Sequence, residues 1–183
     1  MGLFLKDINL KGKTALVTGA TKGLGRGAAI ALAQTGANII AIGRNQSELK
    51  SLEKIIKKLK VKYTFFNCDV NDYKTIKNNI SRLKKLDILV NNAGTNIPEP
   101  FLKVKKSSME TLLNVNTKAV FNVAQLCANQ IIKLNKKGGS IINISSIFGL
   151  VAGQDRSVYS MTKFGVEGLT KGMALDLAKY NIR

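Results

Sequence analysis

The apolar positions fall into short continuous runs separated by stretches in which they recur at helical spacing. Residues 13–18, 38–43, 62–67, 86–91 and 140–145 read as strands. Between them the period lengthens, predicting helices from the glycine turn to Gln34, after Asn45, over 72–84, over 107–134 and over 157–180. Asn45 with Glu48 and Ser107 with Glu110 have the spacing of capping boxes. Strands this short and apolar are buried on both faces, and their alternation with helices implies parallel βαβ units with right-handed crossovers. The predicted fold class is α/β: a doubly wound parallel sheet in three layers, α/β/α, forming one domain over 1–183. Ligands of such sheets bind beyond the carboxyl ends of the strands, so the loops there are expected to carry the function.

The glycine pattern sharpens this expectation. Thr18-Gly19-Ala20-Thr21-Lys22-Gly23-Leu24-Gly25 follows the first strand and opens the first helix, and the run from Gly23 to Ala28 also fits G-x-G-x-x-A. Glycines so placed let a pyrophosphate approach the backbone at a helix N-terminus, which makes the fold Rossmann-like. A carboxylate about twenty residues on would hold the adenosine ribose of NAD. The second strand ends instead in Ile42-Gly43-Arg44. Arg44 suits a bidentate contact to a 2′-phosphate, and Lys22 offers a second cation. NADP(H) is favoured, with NAD(H) possible.

Composition excludes whole classes of chemistry. Among 183 residues there is no histidine, which removes imidazole bases and histidine-ligated zinc. Cys68 and Cys127 stand alone and build no metal site or disulfide framework, so they are read as small buried hydrophobes in a reduced cytosol. No run reaches the ~18–20 apolar residues of a membrane helix. The start, Met1 to Asp7, is charged too soon for a signal peptide, and Lys6 occupies the position where myristoylation wants Ser or Thr. The chain is expected to be cytoplasmic and unanchored. Net charge is +18, which raises nucleic acid as a partner. The lysines are spread over nearly every helix, however, without interleaved stacking aromatics, as on a solvated surface.

Two polar features lie where apolar ones belong. In the helix over 107–134, Leu112 or Leu113, Asn116, Val120, Val123 or Ala124, Cys127, Ile131 and Leu134 share the core spacing. Asn116 is thus an amide on a buried stripe; unpaired it would cost roughly 1–3 kcal/mol, so it needs structural or catalytic partners. In the last helix Tyr159 and Lys163 stand at i and i+4, on one face. An ammonium beside a phenol favours the phenolate, giving a proton donor and acceptor without histidine. Farther along, Gly165, Gly168 and Gly172 are expected to admit close approach by the sheet or by a partner helix.

Together these residues resemble the short-chain dehydrogenase/reductase family from about residue 10 to 183. Gly19, Gly23 and Gly25 match its cofactor turn. Asp69-Val70 matches the pair that lies against adenine, and Asn91-Asn92-Ala93-Gly94 its element after the fourth strand. Asn116, Ser146, Tyr159 and Lys163 match its catalytic tetrad, with Ser146 thirteen residues before Tyr159 and Ser145 one position out of register. The resemblance implies hydride transfer between a nicotinamide and a small carbonyl or alcohol, in the manner of gluconate 5-dehydrogenases or 3-oxoacyl-carrier-protein reductases. In it Tyr159 exchanges the proton, Lys163 assists Tyr159 and holds the nicotinamide ribose, Ser146 orients the reacting oxygen, and Asn116 holds a water. Both Tyr159 and Lys163 also belong to the cofactor site. Residues 95–101 and 149–157 would border the substrate. A complete version is expected to be a homodimer or homotetramer. Members of the family continue past the position of Arg183 through further strands and a substrate cover, so those parts are expected to be missing. Two other readings stay open: a fragment that binds nucleotide without turnover, and a basic nucleic-acid-binding protein on the same scaffold.

Overall fold

A computed structural model describes residues 8–135 and 138–183; the first seven residues, Lys136 and Lys137, with the expectations attached to them, lie outside the described residues. Five parallel strands, β1 (Thr14–Thr18), β2 (Asn38–Gly43), β3 (Tyr63–Asn67), β4 (Ile88–Asn91) and β5 (Ser140–Asn143), form one sheet in the order β3-β2-β1-β4-β5. β1 is central, pairing Thr14 with Asn38 on one side and Ala15 with Ile88 on the other. The chain winds from β1 outward to β3, then returns to β4 on the opposite side. The loops leaving β1 and β4 therefore diverge, opening a crevice at the carboxyl end of the sheet.

Side chains alternate across the strands and divide the core into two layers. Ala15, Val17, Ile39, Ala41, Ile88 and Val90 pack under α1 (Gly23–Gln34) and α2 (Gln46–Lys58), with Ala29, Ala33, Leu49, Leu52 and Ile56 facing them. Leu16, Ile40, Ile42, Leu89 and Ile141 face the other way, toward Ile76 and Ile80 of α3 (Tyr73–Ser81) and toward Val123, Cys127 and Ile131 of α5 (Ala119–Leu134). α6 (Ser157–Leu177) adds Met173 and Leu177 to that layer. Burial on both faces holds for β1 and β4 but not for the edge strands β3 and β5, which remain half-exposed.

The helix expected over 107–134 is not continuous. α4 (Lys106–Leu113) runs into a π-helical segment, Asn114–Lys118, before α5 begins, and Ala119 N–H donates to Asn114 O five residues back. Such single π turns insert one residue and re-aim the side chains beside it. The capping box expected of Ser107 and Glu110 does not form: α4 starts one residue earlier, with no cap from its own side chain. Glu99 serves from outside, accepting Lys105 N–H at 3.2 Å and the Ser108 hydroxyl at 3.1 Å. Asn45 does cap α2, accepting Glu48 N–H at 3.1 Å. Leu134, expected on the core stripe, is 37% exposed, while Gln130 is buried and donates to Leu83 O at 2.7 Å beyond the end of α3. Past α6, a single parallel bridge joins Gly139 to Ile182 at the outer edge of β5.

Candidate active site

The crevice is built by fastening two loops together. The Thr18 hydroxyl oxygen accepts the N–H groups of Asn92 and Ala93, each at 3.0 Å. In return the Asn92 amide donates to Thr18 O at 3.1 Å and to Gly19 O at 3.3 Å. Gly19 turns there with φ +62°, a conformation costly for other residues. Gly25 lies beneath, buried, where a Cβ would overlap both the Asn92 amide and the Gly19 carbonyl. No other residue type leaves room for that stack.

Above it opens a cleft of about 1080 Å³. Gly19, Thr21, Lys22, Gly23 and Leu24 from the turn, Arg44 from the end of β2, Asp69 and Val70 after β3, and Asn92, Ala93 and Gly94 after β4 all line it. Gly25 supports the wall without lining it. α1 starts without a side-chain cap and without an acid in its first turn, leaving its positive N-terminal end for an anion. At the far end the Arg44 side chain is 80% exposed, with Nη1 3.5 Å from Asp69 Oδ2. The space, the glycine floor and the uncapped helix suit an extended dinucleotide. Of the cysteines, Cys127 is fully buried, whereas Cys68 is half-buried on the cleft wall. Burial pushes both thiols above the usual range.

Of the four residues expected to carry chemistry, Asn116, Lys163 and Tyr159 lie together behind Gly94 at the cleft floor, and none of the four lines the cleft itself. A Cβ on Gly94 would stand 3.4 Å from Asn116 Oδ1 and 3.8 Å from Lys163 Nζ, so these three meet. Lys163 is only 5% exposed; its ammonium donates to Ile144 O at 2.8 Å, and burial holds it below the usual lysine range. The same nitrogen lies 5.8 Å from the centroid of the Tyr159 ring. Phe148 meets that ring edge-on, with centroids 6.2 Å apart and planes at 88°. Ser146 caps the short 3₁₀ turn Ile147–Gly149, its oxygen accepting Phe148 N–H at 3.2 Å and its own O–H left to donate. Ser145 turns elsewhere, toward Lys163 O at 3.4 Å.

Asn116 finds its partners from the π segment. Its Oδ1 accepts Thr95 N–H at 2.8 Å, and its amide donates to Thr95 O at 2.8 Å and to the Thr162 hydroxyl at 3.2 Å. Thr162 in turn donates to Tyr159 O at 2.7 Å. One buried hydroxyl thus pins the turn carrying Tyr159 and Lys163 against Asn116. Sequence reasoning missed Thr162 and Phe148; a hydroxyl on the buried side of a helix was the available signal for the first, and nothing distinguished the second. The close approach expected at Gly168 and Gly172 is not by the sheet, since nothing described lies within 4 Å of a Cβ built on either. Among the described residues, no helix is long and apolar enough to cross a membrane.

The fold and the convergence at its switch point are those of a nucleotide-dependent dehydrogenase. The short chain dehydrogenase family model matches residues 13–183, and the chain belongs to that family. It is 37% identical over 177 residues to an L-xylulose reductase from Mesocricetus auratus, covering 97% of this chain and 70% of that protein. It is 36% identical to the 3-oxoacyl-acyl-carrier-protein reductase of Thermotoga maritima, covering 96% of this chain and 72% of the relative. The structure of carveol dehydrogenase from Mycobacterium avium in complex with NAD superposes with a TM-score of 0.90 at 29% identity, covering 96% of this chain and 69% of that one. The family supports NAD(P)-dependent oxidoreductase activity on small carbonyls or alcohols.

Proposed function

We propose that the chain binds NADP(H) in the cleft and works on a small ketone or secondary alcohol, with Tyr159 as the acid and base. Bound nicotinamide supplies or accepts the hydride. In the reducing direction the Tyr159 hydroxyl gives its proton to the substrate oxygen as negative charge develops there, and in the oxidising direction the phenolate takes it back. Lys163, its ammonium 5.8 Å from the centre of the Tyr159 ring, assists Tyr159 and holds the nicotinamide ribose. Ser146, its lone pair engaged by Phe148 N–H, turns its remaining O–H toward the reacting oxygen. Asn116 keeps one lone pair of Oδ1 for a water that links Lys163 to solvent. Gly19, Thr21, Lys22, Gly23, Leu24 and Gly25 hold the pyrophosphate. Asp69, Val70, Asn92, Ala93 and Gly94 hold the adenine side and the floor, and Arg44 with Lys22 meets the 2′-phosphate. A ketone is the group common to the substrates named in the two reductases above, which supports the substrate class.

The observation that carries this reading is the buried ammonium of Lys163, set between Gly94 at the cleft floor and the Tyr159 ring. A charge is not placed there for stability. The test is NADPH consumption over a panel of small ketones, including ketoses and 3-oxoacyl esters. Tyr159→Phe is expected to lower the rate by about 10³-fold or more while leaving NADPH affinity within about twofold. Turnover that survives the substitution removes Tyr159 from its role.

A second reading, nucleotide binding without turnover, is favoured by one feature. Phe101, Leu102, Ile147, Leu150 and Val151 stand exposed on the loops flanking Tyr159, so no described segment covers the substrate side. NADPH binding with no consumption over the whole panel would establish it.

Self-association belongs to the same proposal. The open face of α6 at Gly168 and Gly172, with Met161, Phe164 and Leu175 exposed along that helix, suits a second copy of the chain. Gly168→Ala is expected to weaken association in sedimentation; a higher Tm with association unchanged would show that the glycine serves no contact.

A further inference from the structure

Glu48 poses a problem for a phosphate at the far end of the cleft. It stands on the cleft wall with Arg44, Asn45 and Ser47, where the first turn of α2 meets the open space. A 2′-phosphate carries more than one negative charge, and a free carboxylate on the same wall works against it. The Glu48 carboxylate is not free. Its Oε2 lies 3.5 Å from Nη1 of Arg26, which belongs to α1 and does not itself line the cleft.

Arg26 does more than pair a charge. Nη1 also donates to Glu48 O at 3.3 Å and to Thr21 O at 3.4 Å, and Nη2 donates to Ser51 Oγ at 3.0 Å. One guanidinium, only 22% exposed, thereby joins the glycine turn to the first two turns of α2. A lysine lacks the fork needed to reach all of these at once. The contact also explains why the capping pair at Asn45 closes on one side only: the backbone of Glu48 reaches Asn45, while its carboxylate is drawn to Arg26.

We propose that Arg26 is a positioning residue for cofactor choice: it neutralises the Glu48 carboxylate and fixes it against α1, so that Glu48 adds no opposing charge to that of Asp69, which already stands 3.5 Å from Arg44. The inference rests on the NADP(H) reading above and deepens it. The experiment compares dissociation constants of NADPH and NADH, by nicotinamide fluorescence, for the wild type, Arg26→Gln, Glu48→Gln and the double variant. Arg26→Gln is expected to lower the NADPH-over-NADH affinity ratio by about fivefold, the size expected of one like charge facing a phosphate across a partly solvated gap. Adding Glu48→Gln is expected to restore the ratio. Arg26→Lys keeps the charge and most of the packing, and is expected to retain the ratio to within about twofold. It decides the matter should Arg26→Gln fail to fold, since a loss there of fivefold or more would overturn a role based on charge. An unchanged ratio in folded Arg26→Gln overturns the proposal, and so does a fall that the double variant does not repair. A wild-type ratio below one removes the NADP(H) preference instead, and is read separately from the change that Arg26→Gln produces.

Discussion

At the carboxyl end of the sheet, the loops leaving β1 and β4 are tied to each other through Thr18 and Asn92, over a glycine that admits no side chain. A few residues away, the loops flanking Tyr159 expose Phe101, Leu102, Ile147, Leu150 and Val151. In the first region the Thr18 hydroxyl and the Asn92 amide satisfy buried backbone groups of both loops, over a floor that only glycine fits. In the second, side chains also meet one another: the Phe148 edge against Tyr159 and the Thr162 hydroxyl beneath the Asn116 amide, beside the Lys163 contact with Ile144 O. The side proposed to hold the nucleotide is thus tied loop to loop, whereas the side proposed to carry catalysis leaves the outer face of its side chains open. This difference suits a scaffold that keeps one cofactor and varies its substrates.

Tyr159→Phe, described above, acts chiefly on the proton transfer in the catalytic half and carries the largest expected effect. Next in size is Gly25→Ala, which acts on the other half. The new methyl would need the space held by the Asn92 amide and the Gly19 carbonyl, so one of the two loops must shift. NADPH affinity is expected to fall by about tenfold or more, with a loss of about 1–3 kcal/mol in unfolding free energy, measured by calorimetric titration and denaturant unfolding. A variant that binds as well as the wild type would show that the floor is soft and would erase the contrast between the halves.

How legible each half was in the sequence follows the same division. The glycine turn and Arg44 could be read locally, because a tight turn or a close backbone approach restricts residue type at fixed spacing, whereas Asn92 to Gly94 were legible only through the family resemblance. Strand positions were legible for another reason: β1 and β4 are buried throughout, and their centres, Ala15 to Val17 and Ile88 to Val90, are apolar. Tyr159 and Lys163 were legible as an i, i+4 pair, but their depth was not, since the helix pattern does not reveal that Lys163 is buried to 5% exposure. The π turn at Asn116 was invisible because the i+4 steps from Leu112 to Asn116 to Val120 fit a continuous helix as well as an interrupted one. Glu99 capping α4, and Arg26 drawing Glu48 away from Asn45, were missed for a different reason. Each brings a partner from outside the motif, six to nine residues upstream for Glu99 and 22 for Arg26, to a local pattern of correct spelling.

The smallest expected effect concerns the cost of the catalytic half, and its sign follows from Lys163. Burial holds this ammonium below the usual lysine range, while in the unfolded chain it titrates at its ordinary value. Below the folded value both states are protonated, and the folded protein bears the full penalty of a buried charge. Between the two values the unfolded chain binds more protons, so stability rises with pH; above the unfolded value the penalty is gone. Lys163→Met has no such group. The unfolding free energy of the wild type relative to this variant is therefore expected to climb as the pH rises from neutral toward the ordinary lysine range. Denaturant unfolding of both proteins at several pH values measures it, and NADPH consumption is expected to be lost in Lys163→Met throughout. A difference that stays flat with pH would mean that the ammonium reaches solvent. The catalytic half would then hold no unfavourable charge for the sake of chemistry, and its contrast with the glycine-floored half would reduce to a matter of exposed loops.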